Sequence, residues 1–408
     1  MKCRHCQSEL SLPFIDLQTS PPSNSYLSAE QLSAPEKWYP LRVQTCTGCW
    51  LVQTEDYAHA DELFAADYAY FSSFSSSWLE HSRAYVEAMT RRFGLDRSSH
   101  VVEVASNDGY LLQYLQAQDI PCLGVEPTKS TAQAARAKGI EVVEKFFGVE
   151  LARELVQGGH AADLTAANNV LAHVPNINDF VAGFAVLLKP QGVATFEFPH
   201  LARLVADCQF DTIYHEHFSY LSLTAVRTTF ERNGLSVFDV EELPTHGGSL
   251  RVFAQRSDTA AHPVRPAVGQ LLAREAGLGM TSAAYYRGFQ ARAERIKDDL
   301  LEFLIAAKRD GKRVGAYGAA AKGNTLLNFA GVRADLLPWV VDRNPAKQGK
   351  FLPGSRIPVL GEPHIEAARP DYLLVLPWNL WPEVTAQLAY IRSWGGQFVA
   401  AIPRLEIT

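Results

Sequence analysis

The chain has 408 residues, of which 47% are hydrophobic, and a formal net charge of −6. This length predicts two or three domains with sizeable cores, and a negative balance without any basic run argues against a nucleic-acid partner. No apolar stretch approaches the about 20 residues that span a bilayer, and the N-terminal Met-Lys-Cys-Arg lacks the apolar core of a signal peptide. We therefore expect a cytoplasmic protein that does not bind membranes.

The chain begins with two Cys-x-x-Cys pairs that suit one metal ion. Four soft thiolates on two short turns match the tetrahedral preference of Zn²⁺, and a site closed by four thiolates is structural rather than catalytic. We predict a zinc-binding domain over residues 1–62, with His5 exposed on its turn. Two redox pairs or a chance spacing are the alternatives. The predicted zinc ligands are Cys3, Cys6, Cys46 and Cys49.

An alternating α/β pattern follows the zinc domain. Residues 78–93 predict an amphipathic helix, after which strands and helices alternate. The pattern predicts an α/β domain over residues 63–262 whose last two strands form an antiparallel hairpin. The predicted strands are 100–105, 121–126, 140–143, 162–168, 193–198, 235–241 and 250–255. The predicted helices are 109–118, 130–138, 149–157, 178–188 and 223–233.

The turn after the first strand of this domain indicates a nucleoside cofactor. A dinucleotide fingerprint would have three glycines there, whereas this turn keeps only Gly109 and adds the acid Asp108. The next strand ends at Glu126, about 20 residues further on, where a ribose-binding carboxylate is expected. Acids would repel a pyrophosphate but suit the cationic, phosphate-free S-adenosylmethionine (SAM). The turn resembles motif I of class I SAM-dependent methyltransferases; an ordinary turn without a ligand is the alternative. The candidate cofactor residues are Glu103, Ala105, Asn107, Asp108, Gly109, Glu126 and Asn168.

A cluster of acid–base side chains is predicted at the carboxyl edge of the same sheet, where open α/β sheets bind ligands. Residues 214–220 read Tyr-His-Glu-His-Phe-Ser-Tyr, and His173 follows the fourth strand. Histidine can act as a base near neutral pH, and tyrosine can hydrogen-bond an oxyanion. Two alternatives stay open, namely a metal site formed by His215, Glu216 and His217, or a simple helix cap.

The last part of the chain, residues 263–408, predicts a helical connector and a second α/β domain. A turn of small residues stands between a strand and a helix there, and a helix N-terminus near residues 319–323 favours a phosphate. This turn is therefore a second candidate nucleotide site. The predicted elements are a helical stretch at 264–309, a strand–turn–helix run at 313–325, and strands of a small parallel sheet at 339–342, 371–376 and 396–401.

Several motifs, taken together and in order, carry a specific resemblance over nearly the whole chain. They are Cys-x-x-Cys…Cys-x-x-Cys, Tyr-x-Tyr-x-Ser-Ser-x-Ser, Glu-x-x-x-Asn-Asp-Gly, Ala-His-Val-Pro, Tyr-His-Glu-His-Phe-Ser-Tyr, Thr-His-Gly-Gly-Ser-Leu-Arg, Gly-Ala-x-x-Lys-Gly-Asn-Thr and Asp-x-Asn-Pro-x-Lys-Gln-Gly. The chain resembles the sugar C-methyltransferases of deoxysugar biosynthesis, which methylate a carbon next to the ketone of a nucleotide-linked 4-keto-deoxysugar. The resemblance implies a class I SAM methyltransferase (Rossmann-like) domain, flanked by an N-terminal zinc-binding domain and a C-terminal Rossmann-like α/β domain.

The same resemblance implies roles for the clustered side chains. His217 is expected to be the base that forms an enolate, with Tyr214 and His173 as partners of its oxygen. Glu216 is expected to orient His217 or to contact the sugar. His215 should point the other way along the loop, and His246 and Arg251 are expected to be structural.

The resemblance also implies how the substrate is held. Tyr68 or Tyr70 is expected to close the site, and the C-terminal domain is expected to hold the nucleotide diphosphate. The expected substrate is a nucleotide-linked keto-deoxysugar, with dTDP as the favoured nucleotide and C3 or C5 as the methylated carbon, and the protein is expected to be a monomer. A SAM-dependent sugar O-methyltransferase and a non-enzymatic zinc-ribbon binding protein are the alternatives. The candidate nucleotide-binding residues are Lys322, Asn324, Asp342, Asn344 and Lys347.

Overall fold

The computed structural model describes residues 1–57 and 71–408, so Tyr68 and Tyr70 lie outside the described residues. The strands are β1 Leu12–Ser20, β2 Tyr39–Thr45, β3 Val52–Thr54, β4 Val101–Val104, β5 Cys122–Val125, β6 Val142–Val143, β7 Ala162–Asn168, β8 Leu188–Pro199, β9 Ser219–Tyr220, β10 Leu235–Leu243, β11 Ser249–Arg256, β12 Val314–Tyr317, β13 Val340–Val341, β14 Val359–Leu360, β15 Tyr372–Val375, β16 Gln397–Ala400 and β17 Glu406–Ile407. The α-helices are α1 Ser76–Phe93, α2 Leu112–Gln116, α3 Lys129–Ala137, α4 Val149–Gln157, α5 Ile177–Leu187, α6 Leu201–Ala206, α7 Leu223–Arg232, α8 Pro266–Gly277, α9 Ala283–Tyr286, α10 Phe289–Arg309, α11 Ala321–Ala330, α12 His364–Ala368 and α13 Trp381–Gln387.

The first sheet joins the zinc-binding region to the middle of the chain. Its order is β1-β2-β3-β9, and all three pairings are antiparallel. Strand β9 directly follows the histidine cluster, and its Ser219 and Tyr220 pair with Gln53 and Val52 of β3. The N-terminal domain therefore shares a sheet with the segment that carries the candidate base.

The second sheet has the arrangement predicted for a class I methyltransferase. Its order is β10-β11-β8-β7-β4-β5-β6, and only β11 runs antiparallel to the other strands. The strand order reverses between β4 and β7, which makes this the crevice where open α/β sheets bind ligands. The turn after β4 and the turn after β7 both end at that crevice.

The third sheet is a smaller doubly wound sheet. Its order is β14-β13-β12-β15-β16-β17, and its switch point lies between β12 and β15. The predicted small parallel sheet is confirmed, because β14, β13, β12, β15 and β16 all pair in parallel. An additional strand, β17, pairs antiparallel with β16 through Ile407 and Glu406. A short antiparallel edge strand on a parallel sheet is common in such folds.

The helical stretch after the second sheet is broken and touches more than one domain. Helices α8, α9 and α10 replace the single stretch expected from the pattern, with breaks at Gly279 and Gly288, which both have positive φ angles. The connector packs on β1 as well, because the ring of Phe289 stacks on that of Phe14 at 4.4 Å. One core cluster accordingly includes residues from the first sheet, α10 and the third sheet.

The described helices include none that is long and apolar enough to cross a membrane. The division of the chain into 1–62, 63–262 and 263–408 stays a prediction.

Candidate active site

The two Cys-x-x-Cys turns meet in the structure. The four Sγ atoms lie within 4.8 Å of one another, with 3.6 Å between Cys3 and Cys49 and 3.4 Å between Cys6 and Cys46. Zn–S bonds of about 2.3 Å in a tetrahedron would put neighbouring sulfurs about 3.8 Å apart. The cluster therefore fits one structural Zn²⁺ held by four thiolates.

His5 is not exposed, contrary to the sequence expectation. It is 1% exposed, and its Nδ1 lies 2.7 Å from the Asn178 side-chain oxygen. Asn178 is on α5 of the middle domain and also donates to the His5 carbonyl at 2.9 Å. The turn formed by residues 3–6, called the zinc turn below, is thus docked on the domain that contains the second sheet, which a sequence pattern confined to the turn could not reveal.

The turn after β4 has the shape of a cofactor loop. Ala105, Asn107 and Gly109 have φ angles of 60°, 49° and 74°, so the chain winds through left-handed conformations. A Cβ on Gly109 would lie 2.3 Å from the Ile140 side chain, which explains why glycine stands there. These conformations also delay the helix, since α2 begins at Leu112 and not at 109.

Acidic side chains surround this loop. Glu103 is fully buried, and burial raises the pKa of its carboxyl well above the usual range, with Glu126 and Asp108 adding to the effect. The Oδ1 atoms of Asp108 and Asn168 are buried without a hydrogen-bond partner among the described residues. Such a concentration of acceptors suits the cationic sulfonium and ammonium groups and the ribose hydroxyls of SAM. The residues therefore fit SAM better than a pyrophosphate cofactor.

Glu126 lies where a ribose ligand is expected, and it also stabilises the backbone around it. Its Oε2 accepts from the Asn107 N–H at 3.0 Å and its Oε1 from the Thr128 N–H at 2.9 Å. The carboxylate therefore ties the end of β5 to the turn after β4. Each carboxylate oxygen has more than one acceptor site, so these bonds still leave capacity for ribose hydroxyls.

The histidine cluster assembles at the carboxyl edge of the sheet. The imidazole of His217 has Nδ1 2.7 Å from the Thr212 carbonyl and Nε2 2.7 Å from the Tyr214 hydroxyl. Because a carbonyl only accepts, Nδ1 carries the proton, and Nε2 presents its lone pair to the Tyr214 O–H. This is the tautomer that a general base needs.

His173 comes from the turn after β7 and joins the same cluster. Its ring centroid is 4.6 Å from that of His217. Burial lowers the pKa of His173 to about 4. Burial also lowers the pKa of His217 well below its ordinary value, and the neighbouring His173 contributes. Both rings are therefore neutral near pH 7.

Glu216 and His215 point away from His217. The Oε2 of Glu216 accepts from the Asn24 amide at 2.7 Å, and His215 Nε2 lies 3.1 Å from the Pro40 carbonyl. The expectation that Glu216 orients His217 was wrong, because the Thr212 carbonyl does so. The two histidines also do not converge on an ion, and within the described ranges the cysteine quartet is the only group that could hold a metal.

The C-terminal domain reaches this cluster through α11. The Thr325 hydroxyl donates to the Ile213 carbonyl at 2.9 Å, one residue before Tyr214. On the same helix, the Lys322 ammonium donates to the Asn379 side chain at 2.9 Å and lies 4.6 Å from the Trp378 ring centroid. The switch point of the third sheet therefore opens toward the histidine cluster.

The other candidate nucleotide residues are grouped around the turn after β12. Asp342 accepts from the Ala319 and Asn344 N–H groups, each at 2.8 Å, and Lys347 donates to the Ala319 carbonyl at 2.7 Å. Asp342 thus holds its turn as Glu126 holds the cofactor loop. Asn324 is fully buried and donates to the Ser23 carbonyl at 2.6 Å, so its amide joins α11 to the N-terminal domain.

Three residues near the site escaped the sequence analysis. The Trp378 indole donates to Asp211 at 2.7 Å, and burial raises the pKa of that carboxyl to about 6. Asn24, the partner of Glu216, comes from the zinc domain. Trp378 follows the predicted strand 371–376 at the ligand edge, which is a usable signal, whereas nothing in the local pattern marks Asp211 or Asn24.

His246 and Arg251 have contacts of the kind expected for structural residues. The Asn169 amide donates to His246 Nε2 at 3.1 Å, and the Arg251 guanidinium pairs with buried Glu197 at 2.9 Å. Burial lowers the pKa of His246 to about 4.

Comparison with known proteins identifies the family. The C-methyltransferase NovU of Streptomyces niveus is 36% identical over 406 residues, which cover 100% of this chain and 96% of NovU. The chain belongs to the C-methyltransferase family. Family models match in three successive parts, namely a zinc binding domain at residues 3–64, a methyltransferase domain at 78–240 and a C-methyltransferase C-terminal domain at 244–403.

Two solved methyltransferase structures are similar to part of this chain. The magnesium protoporphyrin IX methyltransferase of Synechocystis PCC 6803 with bound SAM has 16% identity and a TM-score of 0.34, covering 44% of this chain and 79% of its own. A SAM-dependent methyltransferase of Clostridium acetobutylicum has 11% identity and a TM-score of 0.36, covering 48% and 95%.

Family membership confirms several predictions. The protein is a SAM-dependent C-methyltransferase with a zinc-binding domain, and its fold is the predicted α/β architecture. The alternative of a non-enzymatic binding protein was wrong, and methylation at oxygen is not the activity of this family.

Proposed function

We propose that this enzyme methylates the carbon alpha to the ketone of a nucleotide-linked 4-keto-deoxysugar. Carbon is harder to methylate than oxygen because a C–H bond carries no lone pair, so the acceptor needs an acidified C–H bond. A neighbouring ketone supplies that acidity, and the histidine cluster supplies a base. The observation that carries the proposal is the His217 imidazole, whose Nε2 lone pair is presented beside the Tyr214 hydroxyl.

The proton transfer follows from the tautomer of His217. Its Nδ1–H is held by the Thr212 carbonyl, and its Nε2 accepts from the Tyr214 O–H when no substrate is present. A ketone oxygen in the crevice competes for the same O–H. Once Tyr214 donates to that oxygen, the Nε2 lone pair is released to accept the α-proton.

The resulting enolate needs donors at its oxygen. Tyr214 supplies an O–H. Neutral His173 supplies a second polar group, and its ring centroid lies 4.6 Å from that of His217. Donors aimed at developing charge stabilise it most in a site from which water is excluded. Bound SAM supplies the electrophilic methyl group that the enolate carbon takes.

The nucleotide end of the substrate is assigned to the third sheet. Its switch point lies beside the histidine cluster, because Thr325 bonds Ile213 and Trp378 bonds Asp211. Lys322 provides a cation in that crevice, and Asp342, Asn344 and Lys347 surround the turn after β12. We assign the diphosphate to this end, with dTDP as the nucleotide, and C3 or C5 as the methylated carbon.

The remaining parts of the proposal concern the whole protein. We assign it to the cytoplasm as a monomer, with domain boundaries at 62/63 and 262/263, and we assign closure of the sugar site to Tyr68 or Tyr70.

A purified enzyme incubated with SAM and a panel of nucleotide-linked 4-keto-deoxysugars should add one methyl to carbon, as read by mass spectrometry and NMR of the product. Turnover of the corresponding 4-hydroxy sugars would contradict enolate chemistry.

The base assignment is tested by His217→Ala. In deuterated buffer the wild-type enzyme should exchange the proton alpha to the ketone, and the variant should not. Methyl transfer should fall by about 10²–10⁴-fold, the usual contribution of a positioned base, while SAM affinity measured by calorimetry is kept.

His215→Ala is the matched control, because its ring bonds the Pro40 carbonyl of the N-terminal domain. A milder effect is expected there. Near-normal turnover in His217→Ala, or complete loss in His215→Ala alone, would mean that the base is a different residue.

A further inference from the structure

Arg4 stands between two of the zinc ligands, yet its side chain points into the protein. The residue lies between Cys3 and Cys6, and its side chain is 5% exposed. Its backbone N–H donates to the Gln53 side chain at 2.9 Å, and the Gln53 amide lies 3.2 Å from the Cys3 sulfur. The zinc turn therefore fixes the position of the Arg4 backbone, from which the side chain extends.

The guanidinium bridges segments that belong to different parts of the chain. One terminal nitrogen donates to the Pro175 carbonyl at 3.3 Å. The other donates to the Thr54 carbonyl at 2.9 Å and to the Asp56 carboxylate at 2.8 Å. The guanidinium carbon also lies 5.2 Å from the centroid of the Phe218 ring.

Pro175, Thr54 and Phe218 are each directly connected to a candidate catalytic residue. Pro175 ends the Ala-His-Val-Pro turn that carries His173. The Thr54 N–H donates to the Phe218 carbonyl at 3.2 Å, and the Thr54 hydroxyl donates to the His217 carbonyl at 3.3 Å. The two catalytic turns also meet each other, since the Phe218 N–H donates to the Ala172 carbonyl at 2.7 Å.

We propose that Arg4 is a positioning residue through which the zinc turn holds the His173 turn and the His217 turn in register. The proposal rests on the proposed role of His217 as base. The planar fork of arginine can reach several carbonyls at once, which an ammonium cannot do with the same geometry. On this view the Cys3–Cys6 turn takes no part in the chemistry, but through Arg4 it fixes the distance between the His173 and His217 turns.

A purely structural role for Arg4 is the competing explanation. It would lower stability, and any loss of activity would follow the fraction of unfolded protein. A positioning role instead lowers the rate of the chemical step in protein that is folded and fully loaded with zinc. If Arg4 is only structural, activity and stability should fall together. If it is a positioning residue, activity should fall while the protein stays folded and loaded with zinc.

The test compares Arg4→Met, Arg4→Lys and the control Arg42→Met. Arg42 is in the same domain but is about half exposed and pairs only with Asp16 among the described ion pairs. Arg4→Met should keep one zinc per chain and normal SAM affinity, while kcat and α-proton exchange fall together by about 10²-fold, the cost of a small misplacement of reacting groups. Arg4→Lys should recover part of that loss, and Arg42→Met should match wild type.

Hydrogen–deuterium exchange of the backbone provides a readout that does not depend on the identity of the base. The peptide covering residues 212–220 should exchange faster in Arg4→Met and in the zinc-deficient Cys46→Ser, but not in Arg42→Met. Unchanged exchange in zinc-loaded Arg4→Met, or unchanged kcat, would overturn the proposal. If Arg4→Met does not fold, Arg4→Lys decides: a folded, zinc-loaded variant with wild-type kcat and exchange overturns it. Failure of the base assignment would be recognised separately, as retained turnover in His217→Ala.

Discussion

The carboxyl group of Glu216 lies in an environment that disfavours its ionised form. It is 1% exposed, its Oε1 atom has no hydrogen-bond partner among the described residues, and its Oε2 has the Asn24 amide. Burial raises the pKa of Glu216 from 4.5 to about 7. A group held in this way costs stability when ionised, and enzymes keep such groups where they serve the substrate.

The sign of this effect gives a pH-dependent prediction for Glu216→Gln. Because the folded pKa exceeds the unfolded one, ionised Glu216 lowers the free energy of unfolding progressively from pH 4.5 to pH 7, by about 3 kcal/mol when complete. Glutamine cannot ionise. The variant should therefore have a higher thermal midpoint than wild type at about pH 8, and the difference should shrink as the pH falls toward the unfolded pKa.

Exposed Glu302, on α10, provides the control, since Glu302→Gln should leave the midpoint unchanged at both pH values. A Glu216→Gln variant that is less stable than wild type at about pH 8 would show that the carboxylate is held ionised by a favourable contact.

At the scale of single residues, side chains were easier to predict than their partners. His217 and Tyr214 could be picked out because reactive side chains stood close together after a strand. The group that orients His217 is the Thr212 carbonyl, and a backbone carbonyl has no sequence signature. His5 and Glu216 were misplaced for a related reason, since their partners Asn178 and Asn24 are distant in sequence.

Among the structural elements, the cofactor loop was the best predicted. A buried strand, a polar turn and an acid about 20 residues later are local features, and they gave β4, the turn and Glu126. The start of the following helix was predicted too early, at 109 and not at Leu112, because Ala105 and Asn107 adopt left-handed conformations, which non-glycine residues rarely do. The early start of β8 at Leu188 was also missed, since Lys-Pro-Gln-Gly reads as a turn.

Glu126→Ala should weaken SAM binding by about 10–100-fold, because hydrogen bonds to a charged group contribute about 1.5–3 kcal/mol. The change also removes the acceptors of the Asn107 and Thr128 N–H groups. Glu126→Gln keeps one acceptor, so its SAM affinity should lie between those of wild type and Glu126→Ala. Calorimetric titration with SAM measures the effect. Zinc content should be unchanged.

The control is Glu141→Ala, an exposed acid just before β6. If Glu126→Ala binds SAM as wild type does, the ribose site lies elsewhere on the sheet edge.

At the scale of the whole molecule, the sequence predicted three parts but not how they meet. The second and third sheets follow from patterns within tens of residues. The contacts between parts instead join residues more than a hundred positions apart, such as Thr325 with Ile213. The pairing of β9 with β3 is of the same kind, because a two-residue strand is too short to show a periodicity. The site is completed by these contacts, so its full set of residues could not be read from motifs alone.

Gly247 lies close to Trp378 of the C-terminal crevice. Its φ is +86°, and a Cβ there would lie 2.5 Å from the Trp378 ring. Gly247→Ala should therefore displace Trp378, which bonds Asp211 and lies under the Lys322 ammonium. The KM for the nucleotide-linked substrate should rise by about tenfold or more, a change of about 1.4 kcal/mol, while SAM affinity stays the same because the cofactor loop is not touched.

The backbone strain of alanine at positive φ must be separated from the clash with Trp378. Gly279→Ala does this, since Gly279 has nearly the same φ, +85°, but its nearest neighbour would be the Tyr285 Cβ at 3.9 Å. Both variants should lose about 1 kcal/mol of stability from the left-handed conformation, and only Gly247→Ala should raise the KM. Equal KM values in the two variants, with unaltered SAM binding, would mean that the crevice beside Trp378 does not hold the nucleotide end of the substrate.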